Sequence, residues 1–157
     1  MLTYDLISRT TLSSAAASVS LSSFPSTYAD LIVIVSASQG GFDNTGLRFN
    51  DDTGSNYSKR LLYGDGSSAL SVRDSNSTSM RIMIADTGVS SAVWHIMDYS
   101  NSTTYKTGIC RSNIASQQVR AGVGLWRNTN AITKLTFVPE TGNWASGSTF
   151  SLFGIAG

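Results

Sequence analysis

The chain of 157 residues holds one cysteine, one histidine, two prolines and one glutamate. A lone Cys110 excludes an intrachain disulfide and the thiol-rich zinc sites. A lone His95 excludes a multi-histidine metal centre built by one chain. Charge is scarce too, at 13% of residues against about 25% in ordinary globular domains. The 11 basic and 10 acidic side chains nearly cancel, leaving a net charge of +1. That excludes the clustered basic footprint with which proteins grip nucleic acid or an anionic membrane. Asp5 and Arg9 fall before any apolar stretch, so no secretory leader is expected, and the product is expected to stay in the cytoplasm where it is made. The longest aliphatic run, Leu31 to Val35, is far shorter than the roughly 18 residues of a membrane span.

What fills the space is hydroxyl: 43 of the residues are Ser or Thr, beside 41% hydrophobic ones. Disorder needs low hydrophobicity and high net charge, and neither holds. The length suits one domain, residues 1–157, with a core of its own. A surface of small neutral polar groups is less costly to desolvate than one of Lys and Glu, because buried ions demand partners. Such a chain also lacks the self-repulsion that keeps proteins apart, and so suits an assembled state. Sequons at Asn56, Asn76 and Asn101 are as many as chance gives at this Ser and Thr content.

Two-residue alternation and β-branched residues dominate, and helical periodicity is missing over any useful length. Val19 and Leu21 alternate with serines. The serine-rich stretch 10–23 is the one place for a short helix or arm, and its alternation favours strand. Leu31-Ile32-Val33-Ile34-Val35 is too short for a helix and predicts a strand buried on both faces. Further strands are expected at Leu47–Phe49, Tyr57–Tyr63, Met80–Ile84, Ala92–Tyr99, Tyr105–Cys110, Val119–Leu125, Ile132–Val138 and Thr149–Ile155. Asn50–Gly54, Gly64–Gly66 and an exposed loop from Asp74 to Thr78 separate them. The expected fold is all-β, an antiparallel β-sandwich of jelly-roll type with about 8–10 strands.

No catalytic motif stands out. His95, between Trp94 and Ile96, is expected to be satisfied within the sheet or to face solvent, and no G-x-S-x-G elbow presents a nucleophile to it. Cys110 reads as a small apolar strand residue. Asp43, Asp51 and Asp52 lack the alternating acids and terminal Glu of a calcium loop and read as turn residues. Glu140, the single glutamate, sits in a turn beside Pro139; nine Asp remain available, but spacing alone pairs none of them for glycoside hydrolysis. Trp94 is expected in the core. The aromatics of the loops are the candidate contacts: Trp144 with Asn143, and Trp126 with Arg127, where an indole beside amides can anchor an interface or stack on a sugar. The alternative at each is packing over the end of the sandwich.

Four segments, in order and covering most of the chain, carry a resemblance. They are Ser22-Ser23-Phe24-Pro25-Ser26-Thr27-Tyr28-Ala29-Asp30-Leu31, then Leu47-Arg48-Phe49-Asn50-Asp51-Asp52-Thr53-Gly54-Ser55-Asn56-Tyr57-Ser58, then Trp126-Arg127-Asn128-Thr129-Asn130-Ala131-Ile132-Thr133, and the ending Gly147-Ser148-Thr149-Phe150-Ser151-Leu152-Phe153-Gly154-Ile155. Together they resemble the small β-sandwich virion proteins of tailed bacteriophages, although a Tyr is commoner where Phe153 stands. The resemblance implies a structural role without enzymatic activity, cofactor or metal. Its first form is a capsid decoration (cement) protein, a homotrimer on the virion surface, assembled in the host bacterial cytoplasm. The implied partners are the major capsid protein and further copies of the chain, with no nucleic acid and no membrane. The alternative is a tail-fibre or receptor-binding tip that recognises host surface glycan through loop aromatics such as Trp144.

Overall fold

A computed structural model describes residues 3–115 and 117–157. Twelve strands are found among them and no helix. They are β1 (Tyr4–Thr11), β2 (Val19–Ser22), β3 (Asp30–Ala37), β4 (Asp43–Phe49), β5 (Tyr57–Gly64), β6 (Ala69–Ser77), β7 (Ile84–Ala85), β8 (Ser90–Met97), β9 (Lys106–Ile114), β10 (Gln118–Trp126), β11 (Lys134–Pro139) and β12 (Thr149–Ile155). An eight-stranded antiparallel sheet, β1-β12-β3-β8-β9-β10-β5-β6, packs against a four-stranded one, β2-β11-β4-β7. Early strands pair with late ones in nested fashion: β1 with β12, β2 with β11, β5 with β10. A double ribbon rolled up in this way is the jelly-roll form of an antiparallel sandwich.

Alternation explains most of the layers. Leu31, Val33 and Val35 on β3, Trp94 and Ile96 on β8, and Phe150 and Leu152 on β12 point inward from the large sheet and are buried. Val19, Leu21, Leu47, Phe49, Leu135 and Phe137 meet them from the small sheet. Trp94 belongs to this core, as its apolar strand implied.

The count of twelve exceeds the expected eight to ten, and two segments account for the difference. The first is β1, an edge strand with a bulge between Leu6 and Ser8 that pairs only with β12. The second is β6, the opposite edge, which takes in the Asp74–Ser77 stretch expected as loop and pairs only with β5. Neither strand buries a full face, so neither carries the apolar alternation that marks a strand in sequence. A third departure runs the other way. Met80–Ile84 is apolar but forms a strand only at Ile84–Ala85.

That segment is instead a buried connection stitched to its neighbours. Met80 exchanges backbone hydrogen bonds with Leu47 at 2.8 and 3.1 Å, and the Lys59 ammonium donates to the Arg81 carbonyl at 2.6 Å. Met80 lies so close to β10 that a Cβ on Gly124 would stand 2.2 Å from its sulfur. Glycine at that position is what lets the connection pass over the sheet.

The turn after β4 is equally specific. Asn50 and Asp51 both have positive φ, 53° and 56°, and the Asp52 amide donates to the Phe49 carbonyl at 3.0 Å. These are the features of a type I′ turn, tolerated best by Asn, Asp and Gly. The Asn50 side chain donates to the Ala131 carbonyl and accepts from the amides of Thr133 and Lys134.

Candidate functional site

The small sheet covers one face of the large one, and among the described residues nothing covers the other. Strand register sets what that open face displays, because directly opposite residues share a side. One row runs Leu6, Phe153, Ile32, His95, Ile109, Val123, Arg60, Arg73 across the sheet. The next runs Arg9, Ser151, Ile34, Val93, Arg111, Ala121, Leu62, Ser71. Aliphatic side chains are therefore contiguous where a solvated sheet face is normally polar.

Their exposure is substantial: Leu6 53%, Ile34 44%, Leu62 63%, Ile109 41% and Val123 46%. A trough of about 660 Å³ opens along this face, lined by Tyr4, Ile34, Val93, Ile109, Ala121 and Phe153 among others. The strand expected to be buried on both faces is thus buried on its inner face, while on the outer one Ile32 is buried and Ile34 is exposed. Ile34 faces solvent because its side of the sheet has no cover. Contiguous apolar surface of this kind marks an interaction site rather than scattered exposure.

Polar groups sit at fixed points around the trough. His95 Nε2 lies 2.7 Å from Asp30 Oδ2, and Asp30 Oδ1 accepts the Asp98 amide at 2.8 Å. The histidine is thus satisfied by a carboxylate at the end of the neighbouring strand, within the sheet. Arg9 reaches across to the Ser151 hydroxyl at 3.1 Å. Arg111 stands exposed between Val93 and Ala121, and its side chain has no hydrogen bond or ion pair among the described residues.

The loop aromatics expected as contacts lie elsewhere. Trp144 is fully buried, donating Nε1–H to the Phe137 carbonyl at 3.1 Å and packing edge-on to Phe150. Its backbone pairs in both directions with Ala16. Trp126 is also buried, between Phe49 and Tyr57, and donates Nε1–H to Asp52 at 2.7 Å. The indoles close the ends of the sandwich, and neither presents a ring for stacking, which corrects the expected contact role. Their neighbours remain at the surface. Asn143 is exposed, and Arg127 donates to the Ser55 carbonyl and the Asn76 side chain.

The acidic residues singled out in sequence serve the turns. Thr141 donates to Asp43 at 2.6 Å and holds its carboxyl below the usual range. Lys134 and Thr136 do the same for Asp51. At Asp52 burial pushes upward, but hydrogen bonds from Trp126, Asn56 and the Gly54 amide outweigh it, and the net shift is downward. Each thus has its own partners. No group of three or more His, Cys, Asp or Glu side chains is placed to hold a metal ion among the described residues. Glu140 pairs with Arg81 at 3.0 Å. Cys110 points into the core, where burial raises its thiol well above the ordinary value.

The open face was missed as a site, although its signal is present in the sequence. Leu31–Val35 is apolar at every position, and Ile109 and Val123 stand at the outward positions of their strands. Such a pattern calls for cover on two sides, and the chain supplies one.

No protein-family model matches the chain, and no curated protein sequence matches it. Among solved structures, a tetrameric galectin from the ball sponge Cinachyrella sp. shares 14% identity at a TM-score of 0.32. That match covers 88% of this chain and 99% of the galectin. The flagellar cap protein FliD, domains D2–D3, from Escherichia coli shares 12% identity at a TM-score of 0.18. It covers 92% of this chain and 97% of the other.

Proposed function

We propose that this protein is a non-enzymatic structural component of a bacteriophage virion, a capsid decoration protein that docks the open face of its large sheet onto an assembled shell and stabilises it. One observation carries the docking reading: an apolar row and trough on a sheet whose sequence is patterned for cover on both sides. The phage setting is suggested by the four-segment resemblance. The low-charge, hydroxyl-rich composition also favours assembly.

The size of the apolar contact favours a lattice. Full cover of an aliphatic side chain is worth about 2 kcal/mol, so covering the exposed remainders of Leu6, Ile34, Leu62, Ile109 and Val123 contributes about 5 kcal/mol. Association costs about 4–15 kcal/mol in lost freedom, so one copy on one site binds weakly. Linked copies, as in the homotrimer that the resemblance implies, convert later contacts into intramolecular ones and multiply the affinity. Protein that binds only the assembled shell then stabilises it by mass action. The receptor-tip reading invoked loop aromatics such as Trp144, and with both indoles inside the sandwich neither Trp144 nor Trp126 offers a stacking platform.

The test is add-back to purified heads that lack the protein. Wild-type chain is expected to bind stoichiometrically with the major capsid protein and to raise the temperature at which heads lose DNA. Ile34→Asp, which sets an unpaired charge in the contact, is expected to lower occupancy by at least roughly tenfold. Recovery of the protein in tail fractions alone overturns the proposal.

A further inference from the structure

We infer that the occupant of the open face is a protein segment presenting aliphatic side chains together with carboxylates, which Arg111 meets at the centre of the face and Arg60 and Arg73 meet at its β5–β6 side. This rests on the reading that the face docks a protein, and it names the partner's chemistry.

The register places Arg60 directly opposite Arg73, both exposed. Like charges in directly opposite positions destabilise a sheet. Neither is in an ion pair among the described residues, where the pairs are Arg81–Glu140, His95–Asp30 and Lys134–Asp51. Arg111 is set among Val93, Ala121 and the wall of the trough, whose lining holds no acidic side chain among the described residues. Counting Arg9, the outward positions of the large sheet carry four arginines. The carboxylate among them, Asp30, is already engaged by His95 and the Asp98 amide.

The nearly neutral chain is therefore locally cationic where it is also apolar, and this asymmetry selects the partner. A second copy laid face to face would set arginine against arginine with no free carboxylate to answer. A phosphate polymer would answer the arginines but leave Ile34, Ile109 and Val123 uncovered. A segment with alternating aliphatic and acidic side chains satisfies both, since guanidinium groups take carboxylates in bidentate geometry.

A displayed library of random short peptides, selected against the full chain after depletion on Ile34→Asp, tests this. Enriched peptides are expected to combine aliphatic residues with an excess of Asp and Glu. A synthetic peptide from the selection should lose at least roughly tenfold in affinity to Arg111→Glu. It should also weaken as NaCl rises from about 0.1 to about 1 M, where the screening length falls from about 10 to about 3 Å. Arg73→Glu serves as the second variant: it removes the repulsion with Arg60, so the sheet is not weakened, while peptide binding still falls.

Enrichment of neutral or basic peptides, or no enrichment over the depletion step, overturns the inference. So does binding indifferent to Arg111→Glu and Arg73→Glu, or binding of phosphatidylglycerol vesicles in place of any peptide. Concentration-dependent dimerisation abolished by Ile34→Asp would assign the face to a second copy. Heads that bind wild type and Arg111→Glu equally overturn this inference and leave the docking role standing. Heads that bind neither overturn the docking role, and the peptide selection then decides the inference alone.

Discussion

Leu31 and Ile34 lie on the same strand, three residues apart, and differ in the side of the sheet they face. Truncation of each to alanine removes three carbons. Leu31 is 0% exposed in the core between the sheets, so Leu31→Ala loses both transfer energy and packing, about 2–5 kcal/mol. Ile34 is 44% exposed, and the space beside it is open, so no enclosed cavity forms. At about 0.8 kcal/mol per buried CH₂, its partial burial makes Ile34→Ala cost about 1.3 kcal/mol. Strand propensity favours the β-branched Ile over Leu, which adds about a few tenths of a kcal/mol more to the loss at Ile34 and leaves the order unchanged.

Leu31→Ala is therefore expected to be less stable than Ile34→Ala by about 2 kcal/mol, or about 4–8 °C in Tm for a chain of this size. Urea unfolding with unchanged slope measures the difference. Equal losses would refute the reasoning, because they would mean that the outer face is covered in the free protein. A loss at Ile34→Ala that grows with protein concentration would identify another copy as the cover.

Three further outcomes follow from the packing. Asp43, Asp51 and Asp52 are held below the ordinary carboxylate range, so their contribution to stability is complete above about pH 4 and is lost as pH falls through their lowered values. Asp52→Asn should flatten this acid limb in urea titrations at successive pH values, whereas an unchanged limb would remove Asp52 from it. Gly124→Ala drives a methyl into the buried Met80 sulfur, with an expected cost of about 1–3 kcal/mol. A double-mutant cycle with Met80→Ala should recover part of that cost, and strict additivity would contradict the contact. Cys110 should resist a thiol reagent in the native state and react once when the chain is unfolded in denaturant; rapid native labelling would contradict its burial.

The layers were legible in sequence wherever one face of a strand is buried and the other polar, as along Val19–Ser22, whereas along Val119–Leu125 the alternating apolar residues Val119 and Val123 face outward and Gly122 and Gly124 face the core. The edge strands β1 and β6 were not, because pairing on one side alone leaves polar residues such as Asp74 and Ser75 within a strand. Met80–Ile84 misled in the opposite sense, since an apolar run fills the space between sheets as readily as it builds one. The indoles show the limit of local reading. The acceptor for Trp126 is Asp52, 74 residues away, and nothing near Trp126 in sequence announces it. The open face is the instructive case. Its apolar residues were visible in Leu31–Val35, and only the topology shows that four strands cover one side of eight.

A reconstruction of particles carrying this protein, resolved well enough to place β3, β8, β9 and β10, tests docking by the open face most directly. Many copies at repeating shell positions are expected, with Ile34, Ile109, Val123 and Arg111 buried against the shell protein. Copies whose open face points to solvent, or a few copies confined to the tail, would contradict it.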